Sequence, residues 1–143
     1  MAPSHAPVGR ADRPVLLAIE KRLKTAPYID RTLLTTKHGK PTLTAWFDLD
    51  FFPAAVEEAY YDIRWYTSGN FEIHYQENRE NGHWCRRWDR HPRDRSRDHY
   101  HPPPDAGHPP EPENYPETHY EVLRTIDTET LTHLENHPLF STE

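Results

Sequence analysis

The spacing of apolar residues changes period twice along the chain. Between Asp12 and Pro27, Val15, Ile19 and Leu23 recur at helical intervals. Asp12 is placed to cap and Pro14 falls in the first turn, which predicts a short amphipathic helix. From Tyr28 the period drops to two. Residues 29–36 and 42–51 flank a His38-Gly39-Lys40-Pro41 turn, and Leu43, Ala45, Phe47 and Leu49 alternate with Thr44, Trp46, Asp48 and Asp50. That is a hairpin with one buried face, closed by Pro53. Residues 54–59 favour a helical turn by composition but are too few to define one. Three further strand-like runs, 60–67, 71–78 and 83–91, are joined by Ser68-Gly69-Asn70 and a loop containing Asn81-Gly82. Such short turns predict an antiparallel meander. Residues 118–126 resemble a last strand, and Asp127 is placed to cap a closing helix that Pro138 stops.

The pattern lapses at both of the remaining places. Residues 1–11 form a Pro-containing polar arm without periodicity, expected to be disordered. Residues 92–116 hold eight of the fifteen prolines and read as one long Arg/His/Pro-rich loop, a length more often functional or disordered than connective. The expectation is an α+β domain over residues 12–140: an antiparallel meander with an N-terminal and a C-terminal helix. At 34% hydrophobic and 28% charged the chain is polar, but 12% aromatic content can supply a modest core. A single cysteine, Cys85, allows neither an internal disulfide nor a Cys-built zinc site. Without a signal-like or membrane-length apolar run, the chain reads as soluble and cytoplasmic.

Charge distribution changes the picture more than its sum of -6 does. Between Arg86 and Arg97 there are six arginines against Asp89 and Asp94, on an otherwise acidic chain. Such a cluster suits a phosphate or carboxylate ligand, or neutralisation by the acidic C-terminal part. Strand alternation places Arg87 and Asp89 on one face and Trp84, Arg86 and Trp88 on the other, while His99 and His101 share a face if extended. Metal-independent cleavage of RNA needs a base for the 2′-hydroxyl, an acid for the leaving 5′-oxygen, and fixed positive charge on the phosphate. His101 is a candidate acid or base with His99 or His91 as its counterpart, Arg87 a phosphate clamp and Asp89 an orienting carboxylate. Arg86, Trp88, Arg90 and Tyr100 are candidate RNA contacts, the aromatics as stacking platforms. This chemistry requires no cofactor. Two other readings stand beside it: a non-catalytic module that docks RNA or an acidic protein through the arginines, and a metal-dependent hydrolase built on His99-x-His101. His74 and His83 are second-rank candidates, and His5, His38, His133 and His137 are expected on the surface without a role.

The segments Arg86-Arg87-Trp88-Asp89, His91-Pro92 and His99-Tyr100-His101-Pro102 resemble those of the TumE-like toxins of toxin–antitoxin systems. That family carries Arg-Arg-Tyr-Asp, then a His-containing stretch, then His-x-His beside Pro, and the similarity extends back over residues 61–78. After the Asp the family usually shows Asn-Ala-Pro-His-His, where this chain has Arg90-His91-Pro92. The resemblance implies a compact α+β toxin that cleaves RNA and is neutralised by a cognate antitoxin protein.

Overall fold

The computed structural model describes residues 9–93, 96–107 and 110–142. Helix α1 (Arg13–Lys24) begins where expected: the Asp12 carboxylate accepts the Val15 N–H at 3.2 Å, and Pro14 lies in the first turn. Its buried stripe is Leu16, Ile19 and Leu23, with Val15 at the margin. Asp12→Ala is expected to cost about 1 kcal/mol, read as a fall in the urea midpoint at unchanged m-value. An unmoved midpoint would show that the cap is redundant.

Among the described residues seven strands form one antiparallel sheet in sequence order. They are β1 (Ile29–Lys37), β2 (Lys40–Phe47), β3 (Val56–Trp65), β4 (Phe71–Arg79), β5 (Gly82–Arg93), β6 (Ser96–His101) and β7 (Glu111–Glu113). Lys37 pairs with Lys40, so the β1–β2 turn is the two residues His38 and Gly39, with φ of 53° and 77°. Positive φ at both positions is the geometry that matches strand twist in a tight hairpin. Residues 54–59, whose composition favours a helical turn, mostly join β3 instead, while Leu49–Phe51 make a single 3-10 turn rather than continuing β2.

Helix α2 (His119–Glu135) differs from expectation. Residues 118–126 are its first half rather than a strand, and Asp127 lies inside it rather than capping it. Val122, Ile126, Thr130 and Leu134 are buried at four-residue intervals, and this stripe outweighs the local strand-like composition. The Asp127 carboxylate points inward and accepts hydrogen bonds from the hydroxyls of Tyr28 and Tyr61. A short 3-10 helix (Pro138–Thr142) follows, starting at the proline expected to stop the closing helix.

Both long helices pack on one face of the sheet. There Leu43, Ala45 and Phe47 of β2, Tyr61, Ile63 and Trp65 of β3, Phe71, Ile73 and Tyr75 of β4 and Trp88 of β5 join the helical stripes in one core. The alternation seen in β2 therefore persists into β5, and among the described residues the other face carries no helix.

Within the span expected as one loop, Ser96–His101 and Glu111–Glu113 instead extend the sheet. The prolines end β6 rather than prevent it, and Pro112 sits in the edge strand, where a missing N–H costs no ladder bond. Residues 102–107 fold back beside β5: Cys85 N–H donates to the Pro104 carbonyl at 2.8 Å and Ala106 N–H to that of Cys85 at 3.1 Å. Of the N-terminal arm, residues 1–8 lie outside the described residues. The Arg10 carbonyl accepts the Thr67 N–H at 2.8 Å and Ala11 bridges to Tyr66, so the chain joins the sheet just before α1.

Candidate functional site

The face without helices acquires its chemistry from the register of three strands. Asp89 on β5 stands opposite His99 on β6 and Glu72 on β4, while Arg87 stands opposite His101 and His74. Side chains two residues apart on a strand share a face, so His91 joins them. Three imidazoles and one guanidinium thus surround one carboxylate.

Asp89 is 3% exposed, and its two oxygens face different neighbours. Oδ2 is 3.0 Å from His101 Nε2 and 3.5 Å from Arg87 Nε. Oδ1 is 3.3 Å from His99 Nδ1 and 3.8 Å from His91 Nε2, and among the described residues it accepts no hydrogen bond. A buried carboxylate costs several kcal/mol of desolvation unless surrounding positive charge or donors offset it, which is the role open to these four side chains. Burial holds the His101 imidazole below its ordinary range, with Arg87 adding to that effect, while Asp89 and a backbone hydrogen bond to Gly107 oppose it. His101 is accordingly biased towards its neutral form.

Burial divides the cluster. His101 and His99 are 1% and 3% exposed and form its floor. The side chains of His91 and Arg87 are 35% and 27% exposed and reach solvent. His91 and His99 have ring centroids 5.4 Å apart.

The expected RNA contacts lie elsewhere. Trp88 is buried against α2, its indole N–H donating to Glu129 at 3.4 Å, so its ring offers no face to a base. Arg90 is buried as well. Its guanidinium donates to both oxygens of Asp98, at 2.9 and 3.2 Å, and to the carbonyls of Tyr115 and Pro116, at 2.9 and 2.8 Å. That pair ties the β5–β6 hairpin to the entry of α2, a structural use of the arginine. Arg86 spans Trp84 and Trp88 on the helix side and donates to the Glu129 carbonyl, and Tyr100 packs on Trp88. All four point away from the Asp89 face. Of the remaining basic residues in the cluster, Arg97 pairs with Asp98 and Glu117, Arg95 lies outside the described residues, and the side chain of Arg93 is not described.

Two histidines expected on the surface form a second cluster on the helix side. His133 and His137 each bring Nε2 to 2.8 Å from the carboxylate of Glu77, which is fully buried and also accepts from Tyr75 and Arg79. A strand residue and a helix end far apart in sequence made this invisible beforehand, although the His133-x3-His137 spacing was a usable signal. Leu139 N–H donates to His137 Nδ1 at 3.2 Å, which leaves the ring proton on Nε2. His137 is therefore a donor to Glu77 rather than a lone-pair ligand.

His74 is half-buried beside Arg87 and hydrogen-bonded to Gln76 at 3.0 Å, while His83 is exposed at the β4–β5 turn. Cys85 is buried and its thiol pushed up by that burial.

A family model described as Toxin TumE matches residues 18–134, a span that includes every member of the Asp89 cluster. No curated protein and no solved structure matches the chain.

Proposed function

Because the chain belongs to the TumE toxin family, we propose that it is the toxin of a toxin–antitoxin pair and acts as an endoribonuclease through the Asp89 face of its sheet. The observation that carries this reading is the convergence of His91, His99, His101 and Arg87 on one buried carboxylate. In the metal-independent form of the reaction, the RNA 2′-oxygen attacks phosphorus and the bond to the 5′-oxygen breaks. One imidazole takes the 2′-hydroxyl proton and another returns a proton to the leaving oxygen.

Burial sorts the roles. His91 and Arg87, the two that reach solvent, meet the substrate: Arg87 grips the phosphate and His91 transfers a proton. His99, across Asp89 Oδ1 from His91, completes the proton-transfer pair. His101, almost fully enclosed, acts through Asp89 as a positioning residue rather than on the RNA itself. A purely binding module is less well supported, because Arg86 and Arg90 direct their guanidiniums to internal partners rather than to an outward basic patch.

The test is gel analysis of total RNA incubated, with excess chelator, with wild type and with the His91→Ala and Arg87→Ala variants. Wild type is expected to release fragments with 2′,3′-cyclic phosphate ends, and each variant to be slower by roughly a hundredfold or more. Undiminished cleavage by both folded variants would remove the site assignment. RNA binding that weakens steeply with salt while no fragment forms would favour the binding module. The expected protein partner is the cognate antitoxin.

A further inference from the structure

We infer that Asp89, His91 and His99 form a binding site for one divalent transition-metal ion of the zinc class. The inference concerns binding and stands whether or not RNA is the substrate. Three observations carry it. Asp89, His91 and His99 each offer one donor atom, and these three atoms all lie within 4.8 Å of one another. Bonds of about 2.0–2.2 Å to a tetrahedral ion place neighbouring ligand atoms roughly 3.3–3.6 Å apart. The distances of 3.3 and 3.8 Å from Oδ1 to the two nitrogens bracket that range, so these two edges fit an ion with movements of a few tenths of an ångström.

The second observation is the state of the carboxylate. Asp89 is more than nine-tenths buried, yet among the described residues Oδ1 accepts no hydrogen bond although two imidazole nitrogens face it. A buried acceptor of this kind is costly unless something positive sits against it. Third, the other oxygen is already engaged: His101 Nε2 lies 3.0 Å from Oδ2 and orients the carboxylate. Such outer contacts are typical of carboxylates that ligate metals.

Two imidazoles and one carboxylate favour zinc, nickel, copper or iron over magnesium, which takes oxygen donors and keeps its waters. Because His91 is partly exposed, the remaining coordination positions open towards solvent. The other cluster with suitable spacing, Glu77 with His133 and His137, does not offer the same chemistry. Its carboxylate already accepts from Tyr75 and Arg79, and His137 presents an N–H there instead of a lone pair. In the metal-independent cleavage proposed above, a bound ion would occupy the lone pairs of His91 and His99 and inhibit.

The experiment is isothermal titration of the chelator-stripped full chain with zinc chloride and, separately, magnesium chloride. Wild type, His91→Ala and Asp89→Asn are compared, with circular dichroism recorded for each. His91 is partly exposed, so its replacement tests the site without opening the core. One equivalent of zinc is expected for wild type, no magnesium binding, and affinity lower by roughly a hundredfold or more in both variants. Zinc binding that is absent from wild type, or equal in wild type and His91→Ala, overturns the inference. So does magnesium binding as tight as that of zinc. Zinc binding with no RNA cleavage under any condition leaves the site established and removes only the ribonuclease reading. Chelator-resistant cleavage by a chain that binds no zinc does the reverse.

Discussion

Asp89→Asn is expected to lower kcat for RNA cleavage by roughly 10²- to 10⁴-fold while leaving KM within a small factor. The amide keeps the shape of the side chain but removes the charge on which His91, His99, His101 and Arg87 converge, at 3.8, 3.3, 3.0 and 3.5 Å. Without it, an imidazolium that forms as the 2′-hydroxyl is deprotonated has no counter-charge in a poorly solvated site. The loss corresponds to about 2.7–5.4 kcal/mol of barrier, at 1.36 kcal/mol per decade. Arg87, the proposed phosphate contact, remains, so ground-state binding is expected to survive and the kcat-against-KM split separates positioning from binding. Kinetics on a defined oligoribonucleotide, with the thermal melt of the variant beside them, provide the check. A folded Asp89→Asn variant with kcat near that of wild type would show that the carboxylate is structural and that proton transfer proceeds elsewhere. A large rise in KM with kcat preserved would instead make Asp89 part of the binding surface.

The two faces of the sheet were legible to very different degrees. Alternation alone put Leu43, Ala45 and Phe47 on one side, because burying them together dominates the energetics of a sheet with one covered face. The same rule paired Arg87 with Asp89 and His99 with His101. It could not say that His99 stands opposite Asp89, since that depends on the register of a hairpin whose turn carries no sequence signature and whose strand lay in a proline-rich stretch. Nor could it separate the outward Arg87 from the inward Arg90, whose partner Asp98 is across that same hairpin. Residues 118–126 failed for another reason. Tyr120, Val122 and Ile126 carry strand propensity, a weak preference that the four-residue burial stripe of α2 overrides. Asp127 looked like a cap because helix-start rules see only local chain, while its partners Tyr28 and Tyr61 arrive from β1's approach and from β3.

The least legible feature, the Glu77 cluster, carries the largest expected effect on stability. Glu77→Ala is expected to destabilise the fold by about 3–5 kcal/mol, because it strands the partly buried Arg79 guanidinium and three further donors. Against a total of roughly 5–15 kcal/mol, that is a large fraction. Glu77 accepts from Tyr75 at 2.6 Å, Arg79 at 2.9 Å, and His133 and His137 at 2.8 Å, and so binds the end of α2 and the turn beyond it to the sheet. Burial opposes the charge, but these donors outweigh it and hold the carboxyl at about 2 instead of its ordinary 4.5. The sign follows directly. A depressed carboxyl contributes stability above pH 4.5 and loses it as pH falls towards 2, about 3 kcal/mol at 1.36 kcal/mol per pH unit. His137 is held below its ordinary 6.5, chiefly by burial, so the folded protein resists a proton that the unfolded chain accepts. Its contribution therefore also fades once pH drops below 6.5. Wild type should lose stability progressively from pH 6.5 downward, measured as urea midpoints across the range. In Glu77→Ala the slope between pH 4.5 and 2 should flatten along with the drop in stability at neutral pH. A variant that unfolds at the wild-type midpoint at neutral pH, or that keeps the full acid slope, would show that α2 is held by its apolar stripe alone.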